Sequence, residues 1–147
     1  MRQPSGWRQA RTLALDTSVF IYHLAASPIY APLLLPIFQA IEHGRCRAVA
    51  SSLAFLEALV QPSGGRDEGR RAALAALLAS FPGIAWIAVD LAVADRAASF
   101  RARYRLRTPD AIHLATAVHA GADLFLTNDR ELVRVTDVPI LLVDELR

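Results

Sequence analysis

The sequence predicts an α/β fold in which a central parallel sheet of about five strands carries helices on both faces, giving a three-layer sandwich. Two observations support this prediction. Short, almost continuously apolar runs alternate along the chain with longer segments of helical character. Such runs are typical of strands buried on both faces of a parallel sheet. The length of 147 residues and the apolar content of 54% suit one ordinary domain with a substantial core.

The predicted strands are the apolar runs themselves. Pro139 cannot donate a ladder hydrogen bond, so the last strand is expected at an edge of the sheet. Residues 1–11 are polar and contain Pro and Gly, which predicts a loose N-terminal extension before a single domain over 12–147. The strands are predicted over residues 12–15, 47–50, 84–89, 123–126 and 138–143.

The segments between the strands carry the signals of helix ends. Gly44 and Gly121 stand where two helices are expected to stop, and Pro36 predicts a kink inside the second helix. A loop is predicted over 61–65. Helices are predicted over residues 19–25, 30–43, 67–80 and 90–105, with further helices from Ser51 or Ser52 through Glu57, from Thr108, and after Asp129.

The helix that follows Arg107 is expected to be largely buried, because it is apolar around most of its circumference. Thr108 is a good N-cap and Pro109 suits the first helical position, so that Asp110 lies in the first turn. Just before it, residues 100–107 alternate with period two, which favours a strand. We nevertheless predict a helix there, because the preceding segment is strongly helical and has no Gly or Pro.

Four acidic residues are expected to converge at one edge of the sheet. Asp16 directly follows the first strand and Asp129 follows the fourth, and sites in parallel sheets form outside the carboxyl ends of the strands. Glu57 and Asp110 lie near the beginnings of helices, from which they can reach the same edge. Each acid also has a purely structural interpretation: the three aspartates as helix caps and Glu57 as a solvated helix residue.

Such a cluster of carboxylates favours a hard divalent cation. Two carboxylates about 4 Å apart repel by roughly 4 kcal/mol at an effective dielectric of about 20, and oxygen ligands select Mg²⁺, for which Mn²⁺ can substitute. One or two such ions would support phosphodiester hydrolysis. The residues flanking the acids offer neutral groups that would orient carboxylates or water, and the first two would also cap the first helix: Thr17, Ser18, Thr127 and Asn128.

The charge balance suits an anionic polymer as substrate. All 16 basic residues are arginine, and against 14 acids they give a net charge of +2. With four acids gathered at one site, 16 arginines face only 10 remaining acids, an excess of +6. Some of the arginines leading into the Asp110 helix would hold RNA phosphates, or else form only a solvated helix face: Arg101, Arg103, Arg105 and Arg107.

Other classes of protein are disfavoured. No apolar run approaches the roughly 20 residues of a membrane span, and Asp16 interrupts the apolar stretch near the N-terminus, so we expect a cytoplasmic protein, neither secreted nor membrane-bound. The single cysteine, Cys46, suits a reducing compartment, and no Cys/His cluster offers a zinc site. The scattered histidines are interpreted as packing or surface residues: His23, His43, His113 and His119.

Four blocks of the sequence resemble the signature blocks of PIN-domain nucleases, and most closely those of the VapC toxins. Each block contains one of the four acids, and the blocks occur in the family's order. The segment 1–11 departs from the compact family pattern. The blocks are LALDTSVFI at 13–21, SSLAFLE at 51–57, RTPDAIHLATA at 107–117 and ADLFLTND at 122–129.

The resemblance implies a metal-dependent endoribonuclease in which Asp16, Glu57, Asp110 and Asp129 hold Mg²⁺ and the four flanking groups assist. It also implies an antitoxin partner that blocks the site, and a homodimer. A catalytically silent PIN-fold module that binds RNA or protein is the alternative. A phospho-acceptor receiver domain is disfavoured because the chain has no lysine. A phosphohydrolase with an aspartate nucleophile is disfavoured because Ser18 stands where it would usually carry a second aspartate.

Overall fold

The centre of the computed structural model, which describes residues 6–63 and 67–147, is a sheet of five parallel strands. The strands are β1 (Thr12–Leu15), β2 (Arg47–Ser51), β3 (Ile84–Ile87), β4 (Leu124–Thr127) and β5 (Ile140–Leu142). Their order is β3-β2-β1-β4-β5, and every neighbouring pair is parallel. The predicted α/β class, the five strands and the edge position of the last strand are confirmed.

Six α-helices connect the strands in the described ranges. They are α1 (Thr17–Leu24), α2 (Ala31–Glu42), α3 (Ser52–Ser63), α4 (Glu68–Ala79), α5 (Leu91–Tyr104) and α6 (Thr108–His119). Short 3₁₀ turns cover Gly6–Gln9, Arg130–Arg134 and Val143–Leu146. Within residues 6–63 and 67–147, no helix has the length and the apolar character needed to cross a membrane.

Successive residues of the central strands belong to two different cores. In β1, Leu13 and Leu15 belong to the core that α1, α2, α3 and α4 cover, whereas Ala14 belongs to the core under α5 and α6. In β4, Leu126 belongs to the first core and Phe125 to the second. Because side chains alternate across a strand, each face of the sheet needs its own helical cover, and the three-layer prediction is confirmed.

β1 lies in the middle of the sheet, with β2 on one side and β4 on the other. Thr12 pairs with Arg47, and Leu13 pairs with Leu124. The chain proceeds outward from β1 through β2 to β3 and then crosses to the other side of β1 to form β4 and β5. This reversal of direction opens a crevice at the carboxyl ends of β1 and β4. It is the edge at which the acids are expected to meet.

The starts of two helices differ slightly from the prediction. The N-cap of α1 is Asp16, not Thr17 or Ser18, and its carboxylate accepts a hydrogen bond from Thr17 N at 2.8 Å. Aspartate is at least as good a cap as serine or threonine, and it comes first in the chain. α6 already includes Thr108, so its N-cap is Arg107, which makes no side-chain capping hydrogen bond.

Some element ends also differ. The strand predicted over 84–89 stops at Ile87, because its partner β2 ends at Ser51, the residue paired with Ile87. α3 continues to Ser63 into the predicted loop, and the rest of that loop, residues 64–65, lies outside the described residues. The helix predicted through the period-two stretch is confirmed, because α5 extends to Tyr104.

The segment predicted as a loose extension is described from Gly6 onward. There the chain forms a 3₁₀ turn over Gly6–Gln9, and Trp7 is only 8% exposed because it packs into the core under α1 to α4. The guanidinium carbon of Arg8 lies 4.4 Å from the centroid of the Trp7 ring. This part of the segment is therefore anchored, which differs from the prediction. The large apolar surface of a single indole can anchor a segment whose other residues are mostly polar.

Candidate active site

A pocket of about 400 Å³ opens at the carboxyl ends of β1 and β4. The acids that line it are Asp16, Glu57, Asp110 and Asp129. The predicted supporting residues that line it are Thr17, Ser18 and Asn128. Thr127 is the last residue of β4 and reaches the site through a hydrogen bond to Asp16. The structure therefore brings all eight predicted side chains to one place.

Asp16 is held rigidly between two elements. Its Oδ1 accepts a hydrogen bond from Thr17 N at 2.8 Å, and its Oδ2 accepts one from Thr127 Oγ1 at 2.6 Å. The β1–β4 register produces this arrangement, because the pairing of Leu15 with Leu126 places the next residues of both strands side by side. Asp16 is only 9% exposed. Both oxygens of the Asp16 carboxylate thus have a hydrogen-bond donor, and these two bonds fix its orientation.

Glu57 is held by a threonine and a histidine. Its Oε1 accepts a hydrogen bond from Thr17 Oγ1 at 2.8 Å and lies 2.9 Å from His113 Nε2. His113 Nε2 is also 3.2 Å from Thr17 Oγ1 and 3.9 Å from Asp16 Oδ1. Thr17, Glu57, His113 and Asp16 therefore form one connected network, which we call the donor wall of the pocket.

Charges within the donor wall shift the pKa values of its members in opposite directions. The hydrogen bond from His113 lowers the pKa of Glu57, against the opposing effect of partial burial, and Thr17 adds to the lowering. Burial alone would lower the pKa of His113, but the hydrogen bond to Glu57 and the charges of Asp16, Glu57 and Asp110 outweigh it and raise that pKa. The pair therefore favours a carboxylate facing an imidazolium.

Asp110 lies in the first turn of α6, one helical turn before His113. Its Oδ2 is 3.3 Å from Arg107 Nε, and its side chain is 15% exposed. Burial raises the pKa of Asp110; Arg107 acts against this, while the charges of Asp16 and Asp129 add to it. Asp110 is thus a carboxylate whose charge its surroundings disfavour.

The turn after β4 supplies Asp129 and Asn128. Asp129 Oδ1 accepts a hydrogen bond from Glu131 N at 3.0 Å and caps the 3₁₀ turn that follows. Asn128 Oδ1 accepts one from Asp144 N at 3.1 Å, while its Nδ2 lies 3.4 Å from the hydroxyl of Tyr22. We call Asp110, Asp129 and Arg107 the open wall.

Two buried polar atoms at the pocket have no hydrogen-bond partner within the part of the chain that the structure describes. They are Ser18 Oγ and His113 Nδ1. Ser18 lines the pocket directly. Since buried polar groups are nearly always paired, these atoms indicate a place that water or another ligand completes.

Sequence reasoning missed His113, which was interpreted as a packing or surface residue. It is 4% exposed, lines the pocket and contacts Glu57. The available signal was its position three residues after Asp110, which places both side chains on the same face of a helix. Tyr22, which also lines the pocket, was missed as well; it carries no signal beyond its helix position.

The structure separates the four arginines predicted to contact RNA. Arg107 lines the pocket. Arg101 Nε donates a hydrogen bond to Leu106 O at 3.1 Å, and Arg103 forms an ion pair of 2.9 Å with Asp137, neither of which lines the pocket. Arg105 ends α5 in a left-handed conformation with φ of 54°. Arg107 is therefore the member of this set best placed beside the acids, and an RNA contact by any of them stays a prediction.

The donor atoms of the pocket are chemically suited to Mg²⁺, because they are carboxylate oxygens with neutral hydroxyl and amide groups around them. As the side chains are oriented, however, no three Asp, Glu, His or Cys residues within 6–63 and 67–147 lie close enough to hold a metal ion. Glu57 faces His113, and Asp110 faces Arg107. Metal binding therefore requires side chains of the pocket to turn toward its centre.

The fold and the pocket together define an α/β protein with an acidic site at the switch point of a parallel sheet. The chain belongs to the PIN domain family, which matches residues 13–138. The matched span contains all four acids and His113, and it leaves out the anchored segment before β1. A search of curated proteins finds no significant match.

Several solved structures share this fold. DNA-bound VapBC from Salmonella typhimurium has a TM-score of 0.71 at 19% identity, over 90% of this chain and 98% of that one. VapBC2 from Rickettsia felis, bound to a promoter DNA fragment, has a TM-score of 0.67 at 13% identity, over 89% and 98%. VapC20 from Mycobacterium tuberculosis, a sarcin–ricin loop cleaving toxin, has a TM-score of 0.63 at 15% identity, over 77% and 86%.

Proposed function

We propose that this protein is a Mg²⁺-dependent endoribonuclease and the toxin of a toxin–antitoxin pair. The observation that carries the proposal is the convergence of four carboxylates at the switch point of a PIN-family sheet. Burial and neighbouring charges raise the pKa of Asp110, so the pocket without a cation is electrostatically unfavourable. A divalent cation would remove this cost and use the same oxygens as ligands.

RNA is the proposed substrate for two reasons. The structurally similar protein from Mycobacterium tuberculosis is described as a toxin that cleaves the sarcin–ricin loop. In addition, Arg107 lies at the rim of the pocket, where its guanidinium would bind a phosphate that flanks the scissile bond. In the structure the Arg107 guanidinium lies beside the Asp110 carboxylate. On binding RNA, Arg107 would replace this contact with one to a phosphate group.

The four acids of the pocket would have different roles in metal binding. Asp16 would offer a fixed ligand oxygen, since Thr17 N and Thr127 Oγ1 already orient its carboxylate. Asp110 and Asp129 would complete the ligand set by rotating toward Asp16. When bound, Mg²⁺ would supply Lewis-acid activation of water and stabilisation of the leaving oxygen. Glu57 would hold a water or a metal ligand in place while it keeps its hydrogen bonds to Thr17 and His113.

An antitoxin is the proposed protein partner. Structures with this fold from Salmonella typhimurium and Haemophilus influenzae are VapBC complexes. An antitoxin that inserts a cationic side chain into the acidic pocket would compete with Mg²⁺. We further propose a homodimer that acts in the cytoplasm.

A catalytically silent module that binds RNA or protein is the second candidate. It is favoured by the observation that, in the described residues, no three ligand side chains lie within reach of one ion. In that case the hydrogen bonds among Thr17, Glu57 and His113 would be the permanent state of the pocket, and Mg²⁺ would bind no better to this protein than to a variant without Asp110.

RNA cleavage by the purified protein tests the proposal. Structured RNA should be cut in Mg²⁺ and left intact in EDTA, and Asp110→Asn should abolish cutting. Asp95→Asn is the matched control, because it removes an exposed aspartate of α5 away from the pocket. Cleavage by Asp110→Asn at the wild-type rate would remove the pocket from the mechanism. Equal Mg²⁺ binding by the wild type and Asp110→Asn, with no cleavage of any RNA tested, would favour the silent module.

A further inference from the structure

A second pocket lies at the opposite edge of the sheet, near the amino ends of β1 and β2. It has a volume of about 320 Å³ and is lined by Trp7, Arg8, Gln39, Arg45 and Cys46, among others. The segments before the two strands are in contact, because Arg47 N donates a hydrogen bond to Arg11 O at 2.9 Å. Trp7 and Arg8 precede the span that matches the PIN family, so part of the lining of this pocket lies outside the family match.

The two segments that build this edge are rich in arginine. Residues 6–11 and 43–47 contain four arginines and no aspartate or glutamate. In the described part of the chain none of these arginines forms an ion pair, unlike Arg71, Arg103, Arg107 and Arg130. The carboxylate of Asp123, which lies close by, already accepts hydrogen bonds from the backbone N–H groups of Arg11 and Thr12. Arg45 Nη2 lies 3.5 Å from His43 Nδ1, a neutral partner when the imidazole is uncharged. The exposed arginines without an ion pair are Arg8, Arg11, Arg45 and Arg47.

Local structure fixes two of these arginines at the rim. Arg8 lies over the buried ring of Trp7 at 4.4 Å, which restricts its guanidinium. Arg45 follows Gly44, whose φ of 73° ends α2 in a Schellman turn. In this turn Arg45 N donates a hydrogen bond to Ala40 O at 2.8 Å, and Gly44 N donates one to Ile41 O at 3.1 Å. Both arginines are therefore presented from ordered backbone.

We call the surface formed by Arg8, Arg11, Arg45 and Arg47 the arginine edge. We propose that the arginine edge binds the phosphate groups of a nucleic acid. A guanidinium fork matches a phosphate in a bidentate manner, and Gln39 adds an amide donor. Four arginines along one edge suit a polymer with a charge on every residue. An acidic peptide is less suited, because β1 and β2 are interior strands and offer it no free backbone edge. The carboxylate pocket and the arginine edge thus lie at opposite ends of the strands.

Tryptophan fluorescence reports on this pocket directly. The chain has two tryptophans; Trp7 lines the pocket, whereas Trp86 packs against Phe20 and Phe55 in the core. In a Trp86→Phe background, Trp7 is the only reporter. The probes are a single-stranded RNA of about 12 nucleotides, inorganic phosphate, and a glutamate-rich peptide of equal charge, all in EDTA so that metal-dependent cleavage does not occur. RNA should change the Trp7 emission saturably.

The decisive variant is Arg8→Ala with Arg45→Ala. It should weaken RNA binding about tenfold or more and lower the slope of log affinity against log salt by about 1.4, or 0.7 for each lost phosphate contact. Arg70→Ala with Arg71→Ala is the matched control, because it removes the same charge from α4; Arg70 is exposed and Arg71 is ion-paired with Glu68. Arg8→Lys with Arg45→Lys should keep the salt slope and lose affinity, since lysine cannot bind bidentately.

Each outcome decides the proposal. Equal RNA affinity for the two alanine pairs would overturn it, as would RNA binding that leaves Trp7 emission unchanged. A peptide that gives the same Trp7 change at the same concentration would replace nucleic acid with an acidic protein. A response to inorganic phosphate but not to RNA would retain the phosphate chemistry and overturn the nucleic-acid source. Because the assay excludes Mg²⁺, failure of the proposed ribonuclease activity would leave these results unaffected.

Discussion

The two walls of the carboxylate pocket hold acids of the same chemistry in opposite electrostatic conditions. On the donor wall, hydrogen bonds from His113 and Thr17 lower the pKa of Glu57. On the open wall, burial raises the pKa of Asp110, and one exposed arginine only partly offsets this. The difference lies in the number of donors, since the carboxylates of both walls lie at least partly out of water.

One half of the pocket is complete in the protein alone, and the other half is not. The donor wall is already organised by internal hydrogen bonds, so a ligand adds little to it. The open wall lacks sufficient positive charge, so a cation should act mainly there. Four measurements can test this difference between the walls.

Metal binding should stabilise the protein most through the open wall. At a hundredfold excess over its Kd, Mg²⁺ should stabilise the wild type by about 2.7 kcal/mol. Asp110→Asn should lose most of this stabilisation, because it removes the carboxylate that most needs a cation. The measurement is thermal unfolding with and without Mg²⁺, with Asp95→Asn as the control. Identical Mg²⁺ shifts in Asp110→Asn and wild type would place the metal elsewhere.

Without metal, the same substitution should have different costs on the two walls. Asp16→Asn would turn an amide N–H₂ toward Thr17 N or toward the hydroxyl of Thr127, both of which now donate, and should cost about 2 kcal/mol. Asp110→Asn should be neutral or stabilising, because the uncharged side chain is easier to bury. Urea unfolding in EDTA measures both. Equal costs would show that the walls do not differ in this way.

The His113–Glu57 pair should give the donor wall a pH dependence. The pKa of His113 is raised, so its contribution to stability is complete below about pH 6.5 and is lost as pH rises through the raised value. The pKa of Glu57 is lowered, so its contribution is complete above about pH 4.3 and is lost as pH falls through the lowered value.

Glu57→Gln should therefore cost most in the interval between these two pKa values, by about 1 kcal/mol, since the side chain of Glu57 is one-third exposed. The difference from wild type should shrink as pH rises through the raised pKa of His113, because the imidazole becomes neutral there. Urea unfolding over a pH series that starts at about pH 5.5 measures it, and an NMR titration should show a lower pKa for His113 in the variant. A histidine pKa unaffected by the substitution would contradict the pairing.

The smallest effect concerns the arginine of the open wall. Arg107→Ala should lower the salt slope of RNA binding by about 0.7, because one phosphate contact is lost. Arg103→Ala should change it less, since Arg103 already forms an ion pair with Asp137. RNA affinity across a salt series, in an Asp110→Asn background, compares the two. Equal salt slopes for the two variants would show that Arg107 contributes no more to RNA binding than Arg103 does.

The sheet could be predicted because its strands are buried on both faces. Runs such as Leu124–Leu126 have apolar side chains facing both cores, and this leaves a continuous apolar signal. The positions of Asp16 and Asp129 followed from the same reasoning, because Asp16 directly follows β1 and Asp129 comes two residues after β4. Strand ends were less predictable, since the length of β3 depends on where β2 stops.

The hydrogen bonds within the pocket could not be predicted from the sequence. Whether His113 reaches Glu57 depends on the distance and rotation between α6 and α3, which no local pattern encodes. The burial of Trp7 also depends on a distant surface, namely the core under α1 to α4. In both cases the contacting residues are far apart in sequence. The sequence immediately around His113 or Trp7 does not distinguish a buried residue from an exposed one.

The contact between Asp16 and Thr127 joins residues that lie 111 positions apart. At a synthesis rate of about 5–20 residues per second, roughly 6 to 22 s separate the emergence of these two residues from the ribosome. A nascent chain that ends before β4 carries Asp16 and Glu57 but neither Asp129 nor the strand that orients Asp16. During synthesis, each molecule therefore exists for several seconds without an assembled pocket. A binding partner that is present beforehand can bind the pocket as soon as it forms.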